Sequence, residues 1–305
     1  MEYFNLLPGK APASRVALGC MRLASLSDAE AQTYLCRTAE MGYNYYDHAD
    51  IYGGGECEKV FGRALAANPQ LRDEIFIQTK VGIRKGMYDF SGEYLISAVE
   101  ASMTRLGVEH LDALLLHRPD LLMEPEEVAE VFDKLHRSGK VGAFGVSNHS
   151  AQQIQLLQAY CDQKLMINQM QMSLAHGTLV SSGANVNLDG HDGVNYDGYL
   201  RDYCRLNGIT IQPWSPLQHG FIGGTFMGNE DYPQLNETLQ ELAKKYGVTD
   251  TGMAIAWLLR LPEKMQPVVG STNLERLEGI AQASEIELSR EDWYRLYLAA
   301  GYRLP

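Results

Sequence analysis

Short apolar runs and amphipathic segments alternate along most of the chain. The apolar runs have the length of strands and lie at residues 15–20, 43–47, 74–80, 111–117, 141–148, 165–171, 209–215 and 265–271. Helical spacing or helix-end signals mark residues 27–42, 56–68, 91–107, 124–140, 150–161, 199–208, 235–247, 250–261, 273–284 and 289–301. The pattern therefore predicts an α/β protein in which strands and helices follow one another.

The character of the strands narrows the fold. Strands that are apolar throughout are typical of a parallel sheet covered by helices. Eight strand–helix units without a linker favour a (β/α)8 TIM barrel that forms a single domain over residues 1–305, with the helix at 289–301 as an extra C-terminal element. An open doubly wound sheet is the alternative. It normally shows a GxGxxG turn after its first strand, and residues 18–23 read LGCMRL instead.

Composition excludes several classes of function. The chain has 305 residues and a formal net charge of -12, without a cluster of Lys and Arg, which argues against a nucleic-acid surface. No apolar run approaches the ~18 residues of a membrane helix, and the first residues lack the pattern of a signal peptide. The five cysteines are scattered without a CxxC pair, as expected of reduced thiols. We therefore expect a cytoplasmic protein with neither a nucleic-acid nor a membrane partner.

Polar side chains gather where the predicted strands end. Asp47 ends the second strand, Lys80 the third and His117 the fourth. Tyr52 follows shortly after Asp47 in the stretch YYDHADIYGGGE. The carboxyl ends of the strands form the rim that carries function in (β/α)8 barrels. The same rim would bring together Ser147, Asn148, Gln169, Trp214 and Ser271.

The first four of these residues suit the donation of a proton to an oxygen. A tyrosine has an unperturbed pKa of ~10, and a nearby ammonium such as that of Lys80 lowers the pKa because it stabilises the phenolate. Asp47 can hold that ammonium, and His117 can orient a carbonyl oxygen beside Tyr52. Reduction of a carbonyl by hydride transfer requires such a donor.

Each of these residues also has a purely structural interpretation. Tyr52 could be an aromatic residue of the rim, and Lys80 with Asp47 a structural ion pair. His117 could simply end a strand. His48 and Asp50 suggest a metal site, but no HxH or HxxxH spacing occurs, so we expect no metal.

Three motifs resemble signatures of the aldo-keto reductases, which are NAD(P)H-dependent oxidoreductases built on a (β/α)8 barrel. They are YYDHADIYGGGE (45–56), IQTKVGI (77–83) and LLLHRPD (114–120). The strings FGVSNHS, INQMQ, PWSPL and VVGSTNLERL extend the resemblance in register over residues of roughly 15 to 285. It is greatest to a bacterial branch of oxidoreductases.

The resemblance implies reduction of an aldehyde or ketone to an alcohol. It makes Tyr52 the general acid and Lys80 the group that lowers the pKa of Tyr52. Asp47 becomes the partner of Lys80, and His117 orients the substrate. The cofactor would be NADPH, with NADH as the alternative. The implied cofactor contacts are Gly19, Asp47, Ser147, Asn148, Gln169, Trp214, Ser215, Pro216, Leu217, Gly270, Ser271, Thr272 and Arg276.

Individual contacts follow from the same resemblance. Ser147, Asn148 and Gln169 would bind the nicotinamide carboxamide, and Trp214 would stack on the ring where the family usually has a tyrosine. A Ser-Thr pair at a helix start suits phosphate, and an arginine in the first turn can pair with a 2′-phosphate. Gly270 stands where many members have a lysine, which weakens the expected preference for NADPH.

The sequence alone is also compatible with two other functions. Some barrels of this family are accessory or regulatory subunits that bind nucleotide and turn over slowly, and a metal-dependent hydrolase can use the same barrel. We expect a neutral carbonyl substrate, and the sequence indicates no oligomeric state. Residues 176–198 and 218–233 are predicted long loops, the first shaping a substrate pocket and the second covering the cofactor.

Overall fold

Eight strands close into a parallel barrel in this computed structural model, which describes residues 1–184, 199–220 and 223–302, with the backbone alone at 182–184. The strands of the described residues are β1 (Tyr3–Phe4), β2 (Ala13–Ser14), β3 (Ala17–Gly19), β4 (Tyr45–Asp47), β5 (Phe76–Val81), β6 (Ile83–Arg84), β7 (Met87–Tyr88), β8 (Leu111–Leu116), β9 (Val141–Ser147), β10 (Leu165–Gln171), β11 (Thr210–Trp214) and β12 (Val268–Val269). The barrel order is β3, β4, β5, β8, β9, β10, β11 and β12, and β12 pairs with β3. The predicted (β/α)8 fold is confirmed and the open sheet is excluded.

Helices join the barrel strands and cover the outside of the barrel. They are α1 (Asp28–Glu40), α2 (Glu56–Ala66), α3 (Gly92–Leu106), α4 (Pro125–Arg137), α5 (Ala151–Gln158), α6 (Thr178–Ala184), α7 (Leu200–Asn207), α8 (Pro233–Tyr246), α9 (Asp250–Leu259), α10 (Leu274–Ala283) and α11 (Arg290–Ala299). The last of these is the predicted extra C-terminal helix.

Local chemistry sets where helices begin and end. The hydroxyl of Ser27 accepts a hydrogen bond from the amide of Glu30, and the carboxylate of Glu30 accepts one from the amide of Ser27. This is the capping box expected at the start of α1, and each such cap stabilises a helix by about 1 kcal/mol. Gly42 follows the helix with a φ of 89°, which a residue with a Cβ rarely adopts.

Three parts of the predicted pattern differ from the structure. The strand predicted at 265–271 is reduced to two residues, because Pro267 has no N–H to donate to a ladder. Residues 176–198, predicted as a loop, begin with the helix α6, and residues 185–198 lie outside the described residues. The hairpins β1–β2 and β6–β7 were not predicted, since strands of two residues show no periodicity.

The hairpin β1–β2 and the segment that joins its strands close the end of the barrel where the strands begin. This segment brings Leu6 and Leu7 onto Tyr45 and Phe76, whose rings stack with centroids 5.7 Å apart. Full burial of one such aliphatic side chain stabilises a fold by about 1.5–3 kcal/mol. The whole interior cluster is Leu6, Leu7, Ala13, Ala17, Tyr45, Phe76, Ala113, Leu115, Ala143, Ile167 and Val268.

A column of aromatic rings fastens the C-terminal segment to the outside of the barrel. Trp257 stacks on Trp293 with ring centroids 5.1 Å apart, and the column continues through Tyr297 to Tyr302 at 5.6 and 4.9 Å. The hydroxyl of Tyr302 accepts a hydrogen bond from the amide of Gly177, just before α6. The end of the chain is therefore attached to the segment that follows β10.

Two expectations from composition meet the structure here. No helix within the described ranges is both long and apolar enough to cross a membrane. The five cysteines are free, as predicted.

Candidate active site

Strand register brings three of the predicted catalytic residues to the mouth of the barrel where the strands end. Asp47, the last residue of β4, lies opposite Gly19 of β3 and Gln78 of β5. Lys80 lies near the end of β5, opposite Leu115 of β8. His117 follows β8, and its amide donates to the carbonyl of Val81. All three side chains belong to neighbouring strands and therefore meet at one side of the mouth.

A glycine turn places Tyr52 beside them. Residues Tyr52–Gly55 form a short 3-10 turn before α2, and Gly53, Gly54 and Gly55 have φ values of 59°, 64° and 90°. Three left-handed residues in a row are acceptable only for glycine. The side chain of Arg105 also lies against Gly55, where a Cβ would meet it at 2.9 Å. The glycines of the motif thus turn the chain sharply from β4 into α2 and hold Tyr52 at the mouth.

Lys80 and Asp47 form a buried ion pair. The ammonium Nζ donates to Asp47 Oδ1 at 2.6 Å and to the carbonyl of His48 at 2.8 Å, and the two side chains are 0% and 2% exposed. Burial alone would lower the pKa of Lys80, but Asp47 and Tyr52 outweigh burial and raise the pKa. The ammonium is therefore charged across the range of pH in which the protein would work.

Tyr52 is next to this ammonium. Lys80 Nζ lies 5.1 Å from the centre of the Tyr52 ring. Burial raises the pKa of Tyr52, and the charge and hydrogen bond of Lys80 oppose the rise without cancelling it. Lys80 thus lowers the pKa of Tyr52 as expected, but the net pKa is raised because removal of water from the phenolate outweighs one ammonium whose charge is shared with Asp47. Tyr52 is protonated at neutral pH, as a proton donor must be.

His117 completes the group as a neutral ring. Its ring meets that of Tyr52 edge-on, with centroids 6.1 Å apart. Burial, Lys80 and Arg118 together lower the pKa of His117 well below its ordinary value. Nδ1 of His117 is buried and has no hydrogen-bond partner in the described structure. A neutral imidazole has one N–H to donate, and this ring is free to direct it to a ligand.

The three residues predicted to bind a carboxamide lie next along the rim. Ser147 Oγ donates to the carbonyl of Gln169 at 2.9 Å, and Asn148 Nδ2 donates to Ser147 Oγ at 2.9 Å. Asn148 has a φ of 59°, a conformation that asparagine tolerates better than most residues. Gln169 Nε2 donates to Asp47 Oδ1 at 3.1 Å and to Gln212 Oε1 at 3.0 Å. Both its amide hydrogens are used, which leaves the oxygen for a ligand.

Trp214, at the end of β11, lies between the two halves of the rim. Its Nε1 donates to Asn148 Oδ1 at 3.1 Å. The guanidinium of Arg118, the residue after His117, lies 5.7 Å from the centre of an indole ring. The half-buried indole is thus held in place by its polar edge, and an indole is a side chain on which planar groups stack.

The residues that follow β11 and β12 form the other end of the candidate site. Ser215 has a φ of 51°, and Pro216 is buried while Leu217 is half-buried. A Cβ on Gly19 would meet Val268 at 3.1 Å. Gly19 thus allows β3 to lie close to β12 at the rim.

The start of α10 carries the predicted phosphate contacts. Ser271 and Thr272 are half-buried and precede Asn273, whose side chain accepts from the amide of Arg276 at 2.8 Å. Arg276 is exposed in the first turn. The cap is therefore Asn273 and not the Ser-Thr pair. Ser271 Oγ accepts a hydrogen bond from the amide of Asn273 at 3.1 Å, just before the first turn that carries Arg276.

Several residues of the site were not predicted. Arg22 reaches across the rim, and its Nη1 donates to the carbonyl of Gly270 at 2.6 Å, so a cation lies at the position where no lysine stands. Inside the barrel, Gln78 and Gln212 bond to Asp47 and Gln169. The glutamines could have been found in the sequence, because one glutamine lies within each of several apolar strands. No sequence pattern indicates that Arg22 contacts Gly270.

His48 and Asp50 have other contacts in the described structure. His48 packs edge-on against Phe61 of α2 with ring centroids 4.5 Å apart, and burial lowers its pKa to about 3. Asp50 accepts from the hydroxyl of Tyr94 at 3.4 Å. Within the described ranges, no three His, Cys, Asp or Glu side chains are arranged to hold a metal ion.

This arrangement can donate a proton to an oxygen and stabilise the anion left behind. The protonated phenol of Tyr52 lies edge-on to the neutral ring of His117, and the ammonium of Lys80 lies close to the phenol ring. Donors held in place in a site without bulk water stabilise developing negative charge strongly. The flat indole of Trp214 and the exposed cations of Arg22 and Arg276 complete a surface that suits an extended, planar and anionic ligand.

Comparisons with known proteins agree with this fold. The model of the aldo/keto reductase family matches residues 15–298. The oxidoreductase YdhF of Escherichia coli K12 is 34% identical over 320 residues, which is 100% of each chain. A 6-dehydroglucose reductase of Agrobacterium fabrum is 36% identical over 307 residues, or 96% of each chain. An aldo/keto reductase of Klebsiella pneumoniae, solved in complex with NADP and acetate, superposes with a TM-score of 0.77 at 24% identity, over 97% of this chain and 93% of that one.

Proposed function

Since this chain belongs to the aldo/keto reductase family, we propose that it reduces an aldehyde or ketone to an alcohol with hydride from NADPH. One observation carries the proposal: the buried ammonium of Lys80 lies between the carboxylate of Asp47 and the phenol of Tyr52. A structural ion pair needs no tyrosine there, whereas a proton donor does.

Each side chain has a task in this proposal. The substrate oxygen accepts hydrogen bonds from Tyr52 and from the neutral ring of His117. As hydride reaches the carbonyl carbon, the electron pair of the C=O bond moves to the oxygen, which takes the proton of Tyr52. The ammonium of Lys80 stabilises the phenolate that remains, and Asp47 holds the ammonium in place. The high pKa of Tyr52 keeps the proton on the donor until charge develops on the substrate.

The other side of the mouth fits a nicotinamide dinucleotide. A Cβ on Gly270 would meet Arg22 Nη1 at 2.9 Å, so glycine at this position leaves room for the Arg22 guanidinium. Bound there, NADPH supplies the hydride. Trp214 would stack on its planar ring and the oxygen of Gln169 would accept from its carboxamide. Arg22 and Arg276 would meet a 2′-phosphate, and they favour NADPH over NADH for that reason.

The substrate is proposed as a neutral carbonyl compound. The relative named 6-dehydroglucose reductase, at 36% identity, makes a hydroxylated aldehyde the first candidate. Arg118 follows His117 and its guanidinium lies 5.7 Å from the centre of a Trp214 ring, and in this proposal it would meet the hydroxyl groups of such a substrate. The panel for a first assay is therefore 6-dehydroglucose with simple aliphatic and aromatic aldehydes and ketones, each with NADPH and with NADH.

Tyr52→Phe tests the proposal. We expect kcat to fall by about 10³-fold because the proton donor is lost, while fluorescence titration gives an NADPH affinity within about twofold of the wild type. Tyr43→Phe is the matched control. The hydroxyl of Tyr43 donates to the carbonyl of Leu277 outside the site, so turnover should persist. Near-normal turnover in Tyr52→Phe would exclude Tyr52 as the acid.

A further inference from the structure

A chain of buried glutamines connects the Asp47 carboxylate to the closed end of the barrel. Gln78 Nε2 donates to Asp47 Oδ1 at 2.6 Å and to Gln212 Oε1 at 2.9 Å. Gln212 Nε2 donates to Gln266 Oε1 at 2.8 Å. Gln266 Nε2 donates to the backbone carbonyl of Ser14 at 2.8 Å. The three glutamines are completely buried, so none of them can touch a substrate.

The two ends of this chain determine how its amides point. A backbone carbonyl such as that of Ser14 only accepts hydrogen bonds, so Gln266 must turn its NH2 group toward it. The oxygen of Gln266 then faces Gln212, which must donate, and the oxygen of Gln212 faces Gln78. Gln78 has its own oxygen occupied by the hydroxyl of Tyr45 at 2.8 Å. Its NH2 group is left to face Asp47, which as a carboxylate also only accepts.

Three hydrogen-bond donors meet at one oxygen atom of Asp47. Asp47 Oδ1 accepts from Gln78 at 2.6 Å, from Lys80 at 2.6 Å and from Gln169 at 3.1 Å. Three donors around one oxygen leave the carboxylate little freedom to rotate. Lys80 is therefore bound to a fixed partner, and its distance from Tyr52 is fixed as well.

We infer that Gln78 is a positioning residue for the reaction, acting through Asp47 and Lys80 on the proton donor Tyr52. The inference rests on the proposed function. In this inference the glutamine chain holds the ion pair of Asp47 and Lys80 in one geometry. The backbone carbonyl of Ser14, at the closed end of the barrel, anchors the chain.

A pair of substitutions at Gln78 tests the inference. Gln78→Met keeps the length of the side chain and removes its donors, and kcat should fall by about 10-fold with KM for NADPH within about twofold. Gln78→Glu places a carboxyl beside Asp47. At pH 8 it is ionised and repels Asp47, and kcat should fall by about 100-fold. At lower pH its protonated form donates one hydrogen bond, to Asp47, where the amide donated to both Asp47 and Gln212.

The pH profile separates positioning from structural damage. Gln78→Glu should regain turnover as the pH falls from 8 to 6, whereas Gln78→Met should stay low throughout. The matched controls are Asn168→Asp and Asn168→Leu, because Asn168 is also fully buried in a barrel strand but bonds to the carbonyl of His149. Both controls should keep the wild-type profile. Flat, wild-type kcat in Gln78→Met would overturn the inference.

A second measurement decides the matter without turnover. The ammonium of Lys80 is enclosed, so its ¹H–¹⁵N resonance should be observable in the wild type. The resonance should be lost to exchange in Gln78→Met and retained in Asn168→Leu. An unchanged Lys80 resonance in Gln78→Met would refute positioning through Asp47, even if the protein reduced no carbonyl. Absence of carbonyl reduction in the wild type, in contrast, would refute the proposed function and leave the resonance test valid.

Discussion

The two sides of the barrel mouth differ in whether their charged side chains are buried or exposed. On the side of β4, β5 and β8, Lys80 and Asp47 are almost completely buried and bond to each other. On the side of β12 and α10, Arg22 and Arg276 are exposed. Buried charges depend on fixed partners, whereas exposed charges are screened by water and salt. The first side is therefore suited to chemistry, and the second to the recognition of an anion that must arrive and leave.

The largest expected effect tests the buried side. Lys80→Met should lower kcat by about 10³-fold because the phenolate of Tyr52 loses its ammonium. It should also cost about 3–5 kcal/mol of unfolding free energy, since Asp47 is left buried without its cation. Steady-state kinetics and urea unfolding measure the two losses.

A double variant separates these two losses. Asp47→Asn combined with Lys80→Met removes both charges, so it should recover most of the stability and none of the turnover. The exposed Lys59→Met is the control for loss of one positive charge. Recovery of turnover in the double variant would contradict the role given to Lys80.

An intermediate effect tests the exposed side. Arg22→Ala and Arg276→Ala should each raise KM for NADPH by about 10-fold, with kcat unchanged. KM for NADH should hardly move, because NADH lacks the 2′-phosphate. The effect is measured as KM for NADH divided by KM for NADPH. In the wild type this ratio should also fall as salt is added, because salt screens the attraction between the arginines and the 2′-phosphate. Arg137→Ala, an exposed arginine at the end of α4, should leave both KM values unaltered. A fall in kcat with both cofactors would show that the two sides are not separable.

The acid stability of the buried side depends on His48. Burial first, and Lys80 second, lower the pKa of His48 from 6.5 to about 3. Between these values the unfolded chain binds a proton that the folded chain does not, so stability falls as the pH falls through this window. At pH 5 the loss is about 2 kcal/mol relative to pH 7. His48→Met should flatten the dependence of Tm on pH between 7 and 5, and the exposed His136→Gln should not.

Much of the fold and the buried side could be predicted from the sequence, because apolar strands and polar strand ends are local patterns. Asp47, Lys80 and His117 each end an apolar run, and the barrel rule places such residues together. The net pKa of Tyr52 could not be predicted in this way. The balance between loss of water and the charge of Lys80 depends on the depth of the mouth, which no local pattern contains.

Contacts that join distant segments also escaped prediction. Arg22 reaches Gly270 through a long side chain, and its direction depends on the packing of the rim. The hydrogen bonds between the glutamines require inward-facing side chains from different strands. Gln78 and Gln212 therefore become neighbours only when the barrel is closed. Pro267 argues against a continuous strand at 265–271, but the apolar residues on both sides of it led to the prediction of one.

The aromatic column has a practical consequence for spectroscopy. Trp257 and Trp293 stack with their planes 7° apart, so their electronic transitions couple and should give a paired near-ultraviolet circular dichroism band that disappears on unfolding. Trp214, the third of the three tryptophans, lies at the mouth, where a bound dihydronicotinamide would quench its emission by energy transfer. One preparation therefore contains two optical reporters, one for integrity of the shell and one for occupancy of the cleft, and Trp214→Phe would silence only the second.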